Sequence, residues 1–120
     1  LEKREKEIAN YANLVRAVTL PHALVLTGGF TFCPGGYVND VGDAICSNSG
    51  ADYSLSCDLE QVLSTGLDYN VAWSLRSSKH RNIDVTNIAK LYKGGGHKNA
   101  AGFTTTRDLA RAMLTEMGVL

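Results

Sequence analysis

Apolar residues recur along this chain with two different periods. Ile8, Tyr11, Ala12, Val15 and Val18 follow the i, i+3, i+4, i+7 stripe of an amphipathic helix. The spacing predicts a helix over residues 1 to about 18, opened by the mixed charges of Glu2 to Glu7 and stopped at Leu20-Pro21. Ala23-Leu24-Val25-Leu26 is a short unbroken apolar run and predicts a buried strand near 23–27. Gly28-Gly29 and Pro34-Gly35-Gly36 read as loop. Val38, Val41, Gly42, Ile45 and Cys46 return to helical spacing and predict a helix near 38–47, ending at Asn48-Ser49-Gly50.

The period then changes to two. Tyr53, Leu55, Cys57 and Leu59 alternate with Ser54, Ser56 and Asp58, and Tyr69, Val71, Trp73 and Leu75 alternate with Asn70, Ala72, Ser74 and Arg76. Two such runs with a loop at Ser64-Thr65-Gly66 between them predict an antiparallel hairpin. The alternation puts Trp73 and Leu75 on the core face and Ser74 and Arg76 on the other. Ile83 to Ile88 predicts a helix start with Asp84 as cap, and Val85, Ile88, Ala89 and Tyr92 form its buried stripe. Gly94 suits the left-handed position after that helix. Phe103-Thr104-Thr105 reads as strand. Thr106 caps a last helix with Leu109, Ala110, Met113, Leu114 and Met117 inward and Gly118 at its end.

Strands near 23–27, 52–58, 69–76 and 102–105 thus alternate with helices near 38–47, 84–93 and 107–117. That order predicts an α/β fold: a single domain with a mixed β-sheet of about four or five strands flanked by helices. The length of 120 residues suits one domain with its own core.

Formal net charge is zero, which argues against a broad polyanion-binding surface but leaves room for a local one. Lys79, His80, Arg81, Lys90, Lys93, His97 and Lys98 crowd one stretch, and Lys79-His80-Arg81 reads as a mobile basic turn. Cys33, Cys46 and Cys57 are an odd set without C-x-x-C spacing, which predicts buried, reduced thiols and a cytoplasmic protein. No apolar run is long enough for a membrane span and no signal peptide is evident. A first residue that is Leu1 rather than Met predicts an excised domain or a processed fragment of a longer protein.

The candidate chemistry gathers at Lys93-Gly94-Gly95-Gly96-His97-Lys98-Asn99-Ala100-Ala101-Gly102-Phe103. Consecutive glycines free backbone N–H groups to line a concavity that suits an anion. His97 and Lys98 follow with a proton donor and a positive charge, and an imidazole changes charge near neutral pH. Arg76 ends a strand on the non-core face, where its planar fork can hold a phosphate. Asn99 is a further polar candidate. No residue reads as catalytic or as a metal ligand. The histidines at 22, 80 and 97 are scattered, and Asp40 and Asp43 read as solvated helix charges.

GGGHKNAAGF resembles the glycine-histidine motif of the DHHA1 domain, the C-terminal half of many DHH-family phosphoesterases. Ser74-Leu75-Arg76-Ser77 and Ile83-Asp84-Val85-Thr86-Asn87-Ile88-Ala89 resemble the segments that precede it there. Many members carry a fourth glycine where this chain has Lys93. The resemblance implies a connecting helix over 1–18 and a substrate-binding domain over 19–120. It also implies substrate contacts from Arg76 and His97, beside which Gly94, Gly95, Gly96, Lys98 and Asn99 are the further substrate-binding candidates. The ligand it implies is a nucleotide or short single-stranded nucleic acid. The partner would be an N-terminal catalytic domain holding two manganese ions, with no cofactor in this chain. The chain alone would then be inert towards phosphodiesters. A homodimer stays open. The alternative is a nucleic-acid-binding module of the kind found at the C-terminus of alanyl-tRNA synthetases.

Overall fold

A computed structural model describes residues 2–21, 23, 25–66 and 70–120. Leu1, His22, Leu24 and Tyr69, to which the pattern assigns places above, lie outside the described residues. The described chain runs α1 (Glu2–Asn13), β1 (Arg16–Val18), β2 (Gly28–Phe32), a 3₁₀ turn (Gly35–Tyr37), α2 (Val38–Asn48), β3 (Tyr53–Cys57) and α3 (Leu59–Leu63). It continues through β4 (Asn70–Arg76), α4 (Thr86–Leu91), β5 (Gly95–His97), β6 (Ala100–Thr106) and α5 (Arg107–Glu116). The strands form one sheet in the order β1-β2-β3-β4-β6-β5. β2 and β3 are parallel and every other pair is antiparallel, so the fold is the expected mixed α/β sheet, with six strands instead of four or five.

Two cores flank the sheet. Phe30, Tyr53, Leu55, Val71, Trp73, Leu75 and Phe103 point to one face, where they meet Val62 of α3, Ile88 and Ala89 of α4, and Ala110 and Leu114 of α5. The Trp73 and Phe103 rings stack at 5.7 Å, and the Trp73 indole donates to Thr105 Oγ1 at 3.0 Å. On the opposite face Ala12 of α1 and Val41 and Ile45 of α2 cluster with Cys33 and Ala51. Gly29, Thr31, Ser54 and Ser56 form the sheet floor beneath those helices and are buried.

Several elements differ from the periodic reading. The first helix ends at Asn13, where Leu14 and Val15 close onto the carbonyls of Tyr11 and Ala12. Arg16–Val18 is an edge strand pairing with Gly28–Phe30. The strand placed at 23–27 lies at Gly28–Phe32, and Val25 is 95% exposed. Gly28 and Gly29 are strand, not loop, paired with β1 and β3, and they are glycine because neighbours fill the space above them. A Cβ on Gly28 would fall 2.5 Å from the Tyr53 ring, and one on Gly29 would fall 2.7 Å from Ile45. Leu59 does not extend β3: it opens α3, capped by Asp58, which accepts from the Glu60 amide at 3.0 Å. Leu109, expected inward, is 47% exposed.

The end of α4 also departs from expectation. Lys93, not Gly94, takes the left-handed position, with φ 64°. The Lys93 amide donates to the Lys90 carbonyl at 3.1 Å and the Gly94 amide to the Ala89 carbonyl at 2.8 Å, which is a Schellman closure. Gly95 and Gly96 then enter a strand, β5, rather than an open loop. Asp84 does cap, accepting from the Thr86 amide at 2.9 Å, and Thr106 accepts from the Leu109 amide at 3.2 Å.

Candidate functional site

Helices α1 and α2 lie over β2 and β3, α2 reaches on to the Arg76 end of β4, and the rest of that face, over β4, β6 and β5, is left open. Register builds that face. Arg76 pairs with Ala100 and Ala100 with His97, so the three form one cross-strand row. Ser74, Gly102 and Gly95 form the next row, and Ala72 and Thr104 the one after. Directly opposed residues of an antiparallel pair point to the same face. The bare face is therefore a floor of small side chains with Arg76 and His97 at one end. Two strand spacings, about 10 Å, separate their backbones.

The glycines differ in what occupies the space around them. A Cβ on Gly94 would lie 2.1 Å from the Gly102 carbonyl oxygen, and Gly96 combines φ 143° with a Cβ position 2.7 Å from the Ala100 oxygen. Both are glycine for packing and backbone reasons. Gly95 has nothing within 4 Å of its Cβ position, so nothing in the fold requires it to be bare. Pairing with β6 also changes the amide arrangement. Successive residues of an antiparallel strand turn their N–H groups alternately toward and away from the partner. β5 therefore offers amides to its open edge at every other residue, not as a continuous row.

Arg76 is half-buried and held from several sides. Nε donates to Asn39 Oδ1 at 2.9 Å and Nη2 donates to the same oxygen. Nη1 donates to the Leu75 carbonyl at 2.8 Å and lies 3.4 Å from that of Ala101. Burial lowers the pKa of the guanidinium from its ordinary value, and the Asp43 carboxylate opposes that shift. Helix α2 reaches Arg76 because residue 42 is glycine: a Cβ there would fall 2.6 Å from Arg76 Cγ.

A cleft of about 410 Å³ opens beside the guanidinium, with Asn39, Asp43, Ser78, Lys79 and His80 among its walls. It reaches Asn99 and Ala100 but not His97, which stands exposed at the edge of the sheet. Lys98 and Asn99 form the turn between β5 and β6. Asn99 Nδ2 donates to Ser77 Oγ at 3.0 Å and the Asn99 carbonyl accepts the Ser77 amide at 3.1 Å. Lys98 Nζ donates to Asn82 Oδ1. These contacts tie the hairpin to the segment after β4 and so set Arg76 relative to His97. Arg81 is anchored away from the cleft, 2.5 Å from Asp52 and bonded to the Gly50 carbonyl at 3.1 Å.

Sequence reasoning missed Asn39, Gly42 and Asp43. Asp40 is indeed a surface charge, paired with Arg4 at 3.0 Å, but Asp43 faces Arg76 across the cleft. The signal was Gly42: a glycine within a helix costs about 1 kcal/mol relative to alanine, which marks a close approach. The three cysteines are free and buried, and burial raises each thiol pKa. Among the described residues no three His, Cys, Asp or Glu side chains gather where a metal ion could sit, and no helix is long and apolar enough to cross a membrane.

No protein-family profile matches the chain, and no curated protein does. Solved structures match across nearly its whole length. The DHH domain of a member of a ribosomal-protein family superposes with TM-score 0.58 and 19% identity, covering 98% of this chain and 30% of its own. An exopolyphosphatase-related protein from Bacteroides fragilis gives 0.59 and 16%, covering 98% and 34%. A pGpG-specific phosphodiesterase from Vibrio cholerae gives 0.54 and 10%, covering 98% and 40%. The chain spans about a third of the length of these proteins. At such identities the shared property is the fold, and the chain has the fold of one portion of larger proteins that include a DHH domain protein.

Proposed function

We propose that this chain is the substrate-binding domain of a DHH-type phosphoesterase, holding the phosphate of a nucleotide or short single-stranded oligonucleotide. One observation carries the reading: Arg76, at the edge of α2, and His97, on the open part of the same sheet face, stand in one cross-strand row beside the bare backbone of Gly95. A guanidinium supplies a planar fork of charged donors and an imidazole a second donor, and a floor without side chains lets a sugar-phosphate approach. Two structures that share the fold are named for phosphate chemistry, the pGpG-specific phosphodiesterase and the exopolyphosphatase-related protein. Hydrolysis would belong, in this reading, to a catalytic domain outside the chain, whose metal site, with two manganese ions bound, would supply an activated water. The setting is the cytoplasm, and the chain alone is inert towards phosphodiesters.

Lys79 and His80, exposed at the cleft beside Arg76, favour a second reading as a nucleic-acid-binding module. An NMR titration with 5′-AMP and a short oligonucleotide separates the two. The first reading expects shifts at residues 94–99 and Arg76, weakened sharply in Arg76→Ala and His97→Ala. Shifts confined to residues 79–81, insensitive to both substitutions, overturn it in favour of the second.

A further inference from the structure

Resting on that reading of the site, we propose that Asn39 is a place-holder on Arg76: it occupies the edge of the guanidinium that an incoming phosphate takes, and yields it on binding. A guanidinium presents few edges to a ligand. Here Nη1 faces the backbone carbonyls of Leu75 and Ala101, which belong to the sheet and cannot leave. The edge that remains is Nε with Nη2, and both nitrogens donate to the single oxygen Asn39 Oδ1. Asn39 is exposed and lines the same cleft as Arg76, so its side chain can swing off without opening the core.

The arrangement is built into α2. Gly42 stands one turn after Asn39 on the same helix face, and its missing Cβ lets the helix rest on the Arg76 stem and on Ser54 Oγ. Asp43 follows and faces the same charge. The helix thus presents a neutral acceptor at the fork and keeps its carboxylate one step back. A neutral amide oxygen forms weaker bonds to a guanidinium than a phosphate does, so the exchange runs toward the anion. Until then Asn39 keeps the fork satisfied and aimed at the cleft.

The test is a titration of the chain with inorganic phosphate and with 5′-AMP, read on the Arg76 Nε–H and Asn39 side-chain amide signals. Both signals are expected to move with one midpoint as the bond between them breaks. Asn39→Ala, which removes the competitor, is expected to bind more tightly by about 10-fold or more, the worth of a hydrogen bond to a charged group. Asn39→Asp, which pairs a charge with Arg76, is expected to bind more than about 10-fold more weakly. Movement of Arg76 with Asn39 stationary, or weaker binding by Asn39→Ala with Arg76 still required, overturns the exchange and leaves the site standing. Binding indifferent to Arg76→Ala overturns the site and the exchange together.

Discussion

Gly94 lies against Gly102 so closely that a Cβ on Gly94 would come within 2.1 Å of the Gly102 carbonyl oxygen. Neighbouring Gly95 points its missing side chain into open space. The two positions therefore separate structure from ligand contact. Gly94→Ala is expected to destabilise the domain by about 3 kcal/mol, because the clash is with backbone that cannot turn aside. Gly95→Ala is expected to change stability by less than about 0.5 kcal/mol, yet to weaken 5′-AMP binding several-fold. Chemical denaturation and titration of the two variants check both halves.

Lys93 holds the left-handed position at the end of α4, with φ 64°. An L-residue there carries a cost of about 1–2 kcal/mol that glycine avoids, partly offset by the greater freedom glycine loses on folding. Lys93→Gly is expected to stabilise the protein by about 0.5–1 kcal/mol, and Lys93→Val to destabilise it. The urea midpoints of the two variants decide, and a lower midpoint for Lys93→Gly refutes the account.

Trp73 and Thr105 are both buried and share the bond from the indole N–H. Thr105→Val keeps the shape and removes the acceptor. The stranded donor is expected to cost about 1–3 kcal/mol. Thermal denaturation followed by Trp73 fluorescence measures it.

Alkaline pH is expected to loosen the larger core. Burial pushes the Cys57 thiol from 9.0 up to about 12 and the Tyr53 phenol from 10.0 up to about 12. Both groups stay neutral in the folded state while the unfolded chain ionises. The unfolded state binds fewer protons above its own pKa, so stability is full below about pH 9 and falls as pH rises toward 12. The loss amounts to several kcal/mol in order of magnitude. In Cys57→Ala the decline is expected to be shallower but to begin at the same pH, because Cys33 and Cys46 are raised by burial as well. Denaturation midpoints between about pH 8 and 11 show it.

Elements with a long, consistent period were legible in the sequence because burial of one face outweighs everything else about them. The alternation over 70–76 placed Trp73 and Leu75 inward and Arg76 outward, and the stripe through Val41 and Ile45 placed α2. The end caps at Thr106 and Gly118 follow from local hydrogen bonding and backbone freedom alone. Other features depend on atoms far away in the chain. Gly28 and Gly29 look like loop until Tyr53 and Ile45 fill the space above them. Arg16–Val18 carries helical spacing but finds a strand edge to pair with. Leu59 continues an alternation, yet Asp58 caps a helix start there. The site divides in the same way. Its side-chain donors, Arg76 and His97, are marked by residue type and strand period. Their common row comes from the β4–β6–β5 register, and the Asn39 hold on Arg76 comes from the docking of α2 through Gly42. A periodic pattern reports which face of an element is buried. Which elements meet on the other face is decided by packing between segments distant in sequence.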